Sequence, residues 1–119
     1  MKIENLGNLA NLVYLNLSQN QIDHITGLNK LQSLSILDLS MNMIEKIENL
    51  DGMNQLEQLL IYGNRIKIIE NLDGLGNLKI LKLNNNQLLS ISELAIYDLH
   101  SLEVLNAANN IIALDEFEN

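Results

Sequence analysis

Apolar residues in this chain return in a fixed phase instead of forming long helical or strand-like runs. One copy reads Leu12, Leu15, Leu17, Asn20, Ile22, Ile25, Leu28, Leu31, and the next reads Leu34, Leu37, Leu39, Asn42, Ile44, Ile47, Leu50, Met53. A third follows as Leu56, Leu59, Ile61, Asn64, Ile66, Ile69, Leu72, Leu75, and a fourth as Leu78, Leu81, Leu83, Asn86, Leu88, Ile91, Leu94, Leu99. The period is 22 residues, marked most plainly by Asn20, Asn42, Asn64 and Asn86. Self-similarity at such a period is the signature of a repeat solenoid. In the front half of each copy, apolar and variable residues alternate, which predicts a short strand with its leucines inward. In the back half the apolar residues stand three apart, a spacing that suits 3₁₀ turns or irregular arches better than a long helix. No copy can bury its leucines alone, so stacked neighbours must supply the continuous core.

The asparagines follow from the same geometry. An inward amide left unpaired costs roughly 1–3 kcal/mol. Its carbonyl and NH₂ can instead bond the backbone of its own and the adjacent coil, forming a ladder. These asparagines are therefore scaffold. Gly27, Gly52 and Gly74 read as one recurring back-side position where a tight turn excludes a Cβ.

The pattern divides the chain into a partial repeat 1–11, repeats 12–33, 34–55, 56–77 and 78–101, and a partial or capping repeat 102–119. Ile3, Leu6 and Leu9 match only the back half of a repeat. The chain thus opens inside a repeat with no recognisable polar cap, and is expected to be part of a longer protein. The fourth repeat carries two extra residues within Ser92–Leu99, a segment expected to form a short helix on the convex side. Leu102, Leu105, Ala107, Asn110 and Ile112 begin a fifth copy, after which Leu114 and Phe117 fall one residue out of register. Ile111–Asn119 is read as an incomplete or capping turn with an acidic tail.

Composition narrows the chemistry. The formal net charge is −8 and the seven basic residues are scattered singly, which argues against a nucleic-acid partner. There is no Cys, so neither a disulfide framework nor a thiolate site is available. No apolar run approaches the ~20 residues of a membrane helix, and no membrane association is expected. Met1-Lys2-Ile3 leads directly into the repeat pattern without a signal peptide, which points to a reducing, cytoplasmic location.

Enzyme signatures are missing from the pattern. His24 and His100 sit far apart at variable positions, without ligand or triad spacing, and are expected to be exposed. Gly74-Leu75-Gly76-Asn77-Leu78-Lys79 resembles a phosphate loop only superficially, since it lacks the later Gly and a following long helix. Glu45, Glu48, Asp51, Glu57, Glu70 and Asp73 recur on loops and edges as a solvated rim, with no EF-hand spacing. No catalytic residue, metal or cofactor is expected.

Functional differences must then reside in the outward residues of the strands, which align in columns. The first column is Tyr14, Ile36, Gln58, Ile80, Val104; the second is Asn16, Asp38, Leu60, Lys82, Asn106. The third is Ser18, Ser40, Tyr62, Asn84, Ala108, flanked by Gln19, Met41, Gly63, Asn85 and Asn109. Leu60, with Tyr62 and Met41 nearby, is expected to place exposed apolar atoms at the centre of the concavity, a feature that marks protein-binding sites. The candidate contact surface comprises Tyr14, Asn16, Ile36, Asp38, Met41, Gln58, Leu60, Tyr62, Ile80, Lys82, Asn84 and Asn106.

The LxxLxLxxN phrase followed by IxxIxxLxxL resembles the leucine-rich-repeat family throughout the chain. The resemblance implies an α/β leucine-rich-repeat solenoid, right-handed, with a concave parallel β-sheet and a convex side of 3₁₀ or short helical turns. Phrases such as Ile44-Glu45-Lys46-Ile47-Glu48-Asn49-Leu50-Asp51-Gly52 look like the intracellular branch with 22-residue repeats. That branch includes the leucine-rich regulatory subunit of type-1 protein phosphatase and the outer-arm dynein light chain. It implies a non-enzymatic binder of a protein partner, a regulatory or scaffold subunit that is monomeric outside its complex, in a cytoplasmic, cytoskeletal or ciliary setting. The phosphatase subunit's acidic and aromatic concave contacts are matched in kind by Asp38 and Tyr62, while Leu60 and Lys82 depart from them. Two alternatives stand beside this. Bacterial internalins, secreted or surface adhesins, also use 22-residue repeats but usually carry Pro in the back half, and this chain has no Pro. The repeats could equally be a structural spacer in a larger protein.

Overall fold

A computed structural model describes residues 1–6 and 8–112. Five three-residue strands recur along the chain: β1 (Tyr14–Asn16), β2 (Ile36–Asp38), β3 (Gln58–Leu60), β4 (Ile80–Lys82) and β5 (Val104–Asn106). They form one parallel sheet in chain order. Each strand pairs with its sequence neighbour, 22 residues on for the first three pairings and 24 across the lengthened fourth repeat, so that Leu15, Leu37, Leu59, Leu81 and Leu105 are in register. The coil between successive strands returns the chain to the same edge, giving a solenoid of about four turns.

Behind the sheet, the three-residue spacing of apolar positions is matched by the hydrogen bonds. The N–H of Leu31 bonds the carbonyl of Leu28, and that of Leu34 bonds Leu31; Met53 and Leu56, then Leu75 and Leu78, repeat the step. Each inward residue thus closes a tight turn onto the previous one, the local geometry of a 3₁₀ helix without its continuity. Only in the lengthened fourth repeat do the described residues form a helix, the 3₁₀ helix Ser92–Ile96. The other convex segments are turns, so the helical part of the architecture is small.

Core side chains form one continuous column running from Ile3 to Leu88, including Leu37, Leu59 and Leu81 at full burial. At the terminal coils, Leu15 is half-buried and Leu105 is 38% exposed, because each has a described neighbour on one side only.

The asparagine ladder takes the expected form in the middle of the chain. Asn42 Nδ2 donates to the carbonyls of Leu17, Leu39 and Ser40, and its Oδ1 accepts the N–H of Ile22. Asn64, Asn86 and Asn110 repeat the arrangement one coil further on. Asn20 is the exception: it is exposed and its amide reaches only Leu17 O and Ser18 O of its own coil.

The glycine expectation needs correcting. Gly27 shares its position with Asn5, Asn49 and Asn71, all with positive φ, whereas Gly52 and Gly74 stand three residues further along their repeats. The back side has two left-handed positions, not one. At the first, asparagine does more than tolerate the conformation: Asn49 Nδ2 bonds Ile25 O and Asn71 Nδ2 bonds Ile47 O, each at 2.7 Å. This is a second, shorter amide ladder on the back of the solenoid.

Candidate protein-binding face

The outward positions of the five strands form the exposed floor of the sheet. Parallel pairing places Tyr14 beside Ile36, Gln58, Ile80 and Val104, and Asn16 beside Asp38, Leu60, Lys82 and Asn106. The columns are therefore real neighbours, with adjacent members roughly 4.8 Å apart across the sheet.

Exposure is uneven within them. Tyr14 is 54% exposed and Met41 51%, and Val104 and Asn16 are also open to solvent. Ile36, Gln58, Leu60, Tyr62, Ile80, Lys82, Asn84 and Asn106 are half-buried. Leu60 and Tyr62 thus form a packed floor, while the freer apolar surface lies at Tyr14 and Met41.

Asp38, expected to offer an acidic contact, has one of its two carboxylate oxygens engaged within its own coil. It is 9% exposed, and its Oδ1 accepts the N–H of Ser40 at 3.0 Å and the Ser40 hydroxyl at 2.6 Å. Asn16 does the same for Ser18, and Asn106 accepts the N–H of Ala108. A short side-chain oxygen two residues ahead of a backbone N–H closes an Asx turn, which here steers the chain out of each strand. Asn16, Asp38 and Asn106 are therefore bound into the coil. Leu60 and Lys82 occupy equivalent positions without an oxygen to give, so the column changes character in the third and fourth coils.

The flanking column has a backbone of its own. Gln19, Met41, Gly63, Asn85 and Asn109 are all left-handed, with φ between 57° and 68°. Four side chains tolerate this, so φ alone does not demand Gly63. A Cβ on Gly63 would lie 2.5 Å from Met41 Sδ, so the flexible, half-exposed Met41 side chain would have to move. Met41 lies across the notch that Gly63 leaves.

Electrostatically the floor differs from the rest of the molecule. Of fifteen acidic and seven basic residues, the four columns hold one of each, Asp38 and Lys82. Asp38 is already engaged with Ser40. Lys82 makes no ion pair among the described residues. At the edge of the sheet, Glu57 and Lys79 do pair, at 3.0 Å, and the hydrogen bond and charge of Glu57 hold the Lys79 ammonium above its usual pKa. Asn84 Nδ2 donates to Asn85 Oδ1, leaving the buried Asn84 Oδ1 without a partner among the described residues.

Elsewhere the surface carries little organised chemistry. His24 and His100 are exposed and lie near Glu48 and Asp98 at 3.5 and 3.3 Å. Among the described residues, no group of three His, Cys, Asp or Glu is placed to hold a metal ion, and no helix is long and apolar enough to cross a membrane. Exposed aliphatic residues do occur off the floor, led by Ile96, Leu89, Ile111, Val13 and Ile68. The repeat pattern gave no sign of them, because each sits at a variable position. Leu114 and Phe117, assigned to a terminal turn, lie outside the described residues.

Comparison with known proteins agrees with this architecture. The family model described as Leucine Rich repeats (2 copies) matches residues 10–52. No curated protein matches the chain. Among solved structures, an internalin (inlF) from Listeria monocytogenes is 33% identical, with a TM-score of 0.81, over 91% of this chain and 31% of its own. A leucine-rich-repeat protein from Leptospira interrogans is also 33% identical, with a TM-score of 0.79, over 88% of this chain and 27% of its own. Internalin C2 from Listeria monocytogenes is 30% identical, with a TM-score of 0.62, over 88% of this chain and 55% of its own. The chain spans about a quarter to just over half the length of these structures. Together the matches support the leucine-rich-repeat family for the chain.

Proposed function

With a leucine-rich-repeat solenoid as the premise, we propose that this chain is a non-catalytic binding segment that captures a protein partner on its concave face. Leucine-rich repeats are commonly protein–protein interaction modules. One observation supports placing the contact on the floor of the sheet. In a molecule of net charge −8, the aligned columns are nearly free of charge and mix apolar and amide groups. Such a surface is cheap to desolvate and still offers directional hydrogen bonds. The proposed contact centres on Leu60 and Tyr62, flanked by Tyr14, Ile36, Met41, Ile80 and Lys82. Outside its complex the chain is a monomer in this reading.

The test is affinity capture on the immobilised chain, wild type against the double variant Leu60→Asp/Tyr62→Asp, with circular dichroism to confirm that both are folded. Specific loss of a prey protein from the variant supports the concave contact. Identical recoveries on two equally folded proteins overturn it and favour a spacer.

A second reading has its own support. Identity of 33% to an internalin over 91% of the chain favours an internalin-like adhesin segment of a larger protein over an intracellular regulatory subunit. Both readings use the same floor and differ in location. Fractionation of source cells separates them: recovery of the native protein at the cell surface supports the adhesin, and recovery in the cytoplasm the regulatory or scaffold subunit.

A further inference from the structure

We draw no further inference here: the strongest candidate, the exposed aliphatic surface of Ile68, Leu89 and Ile111 on the flank of the third, fourth and fifth coils, is an unpartnered apolar face, and nothing in the structure shows what covers it.

Discussion

Replacing Asn64 with alanine is the sharpest test of how the solenoid holds together. Asn64 Nδ2 donates to Leu39 O at 3.0 Å, Ile61 O at 3.1 Å and Tyr62 O at 3.2 Å, and its Oδ1 accepts the N–H of Ile44 at 3.0 Å. The three carbonyls do not become orphans in Asn64→Ala. Leu39 O keeps a bond from Asn42, Ile61 O keeps one from Asn86, and Tyr62 O keeps the N–H of Met41. The Ile44 N–H has no such reserve. Stranding one buried donor costs about 1–3 kcal/mol, and the weakened carbonyl bonds add about 1 kcal/mol. The expected loss is therefore about 2–4 kcal/mol, a large part of the roughly 5–15 kcal/mol that holds a domain folded.

Two companion variants make that figure specific. Asn20 makes only bonds within its own coil, so Asn20→Ala should lose less than about 1 kcal/mol. Asn64→Asp keeps the acceptor for Ile44 but turns an anionic oxygen toward three carbonyls, and should be worse than alanine. Equilibrium urea unfolding followed by far-ultraviolet circular dichroism gives all three values, provided the slope stays constant. If Asn64→Ala falls within about 0.5 kcal/mol of wild type, or Asn20→Ala loses as much as Asn64→Ala, the inter-coil ladder is not what stabilises the stack.

Further outcomes follow from single contacts. Gly63→Ala must hold φ near +68° and push Met41 Sδ away, so it should lose more than the about 1–2 kcal/mol of a left-handed Cβ alone. Gly52→Ala, with φ +80° and nothing within 4 Å, measures that backbone part, and Met41→Ala should bring Gly63→Ala back toward it; no recovery refutes the Met41 contact. Asp38→Asn should be within about 0.5 kcal/mol of wild type, because Asn16 and Asn106 close the same turn; Asp38→Ala should lose about 1 kcal/mol, and equal losses would contradict the turn assignment. Because the folded-state pKa of Lys79 is raised by Glu57, the pair's stabilisation is complete below the unfolded lysine value and disappears as pH rises through the raised one. Glu57→Gln should return Lys79 toward its ordinary titration, read by NMR at the lysine Cε, and an unchanged curve would remove Glu57 as the cause.

How far the sequence reveals these features depends on whether a side chain repeats. Strand positions, inward leucines and the main asparagine ladder are legible because every middle coil places the same demand on them. The two glycine positions were merged because Gly27 and Gly52 look alike as residues, although they stand at different offsets. Asn5, Asn49 and Asn71 share the offset of Gly27 and carry the signal that separates them. The bond from Asp38 to Ser40 was not legible for a different reason: strand alternation tells which face a residue is on, and not whether its oxygen folds back onto its own chain.

The same distinction bears on the floor itself. Where a polar residue recurs at one offset, as Asn16, Asp38 and Asn106 do, the backbone turn uses it, and its presence carries no information about a partner. Leu60 and Lys82 break that recurrence, and their coils leave the strand without the side-chain oxygen that the others supply. The N–H groups of Tyr62 and Asn84 consequently lack the Asx bond made at Ser18, Ser40 and Ala108. At Lys82 an Asn or Asp would restore that bond, worth about 1 kcal/mol; at Leu60 the same gain is offset by the apolar packing lost from a half-buried leucine. Lys82→Asn should therefore stabilise the fold while weakening partner capture. Stabilisation without any loss of capture would mean that the departure at Lys82 serves something other than the concave contact.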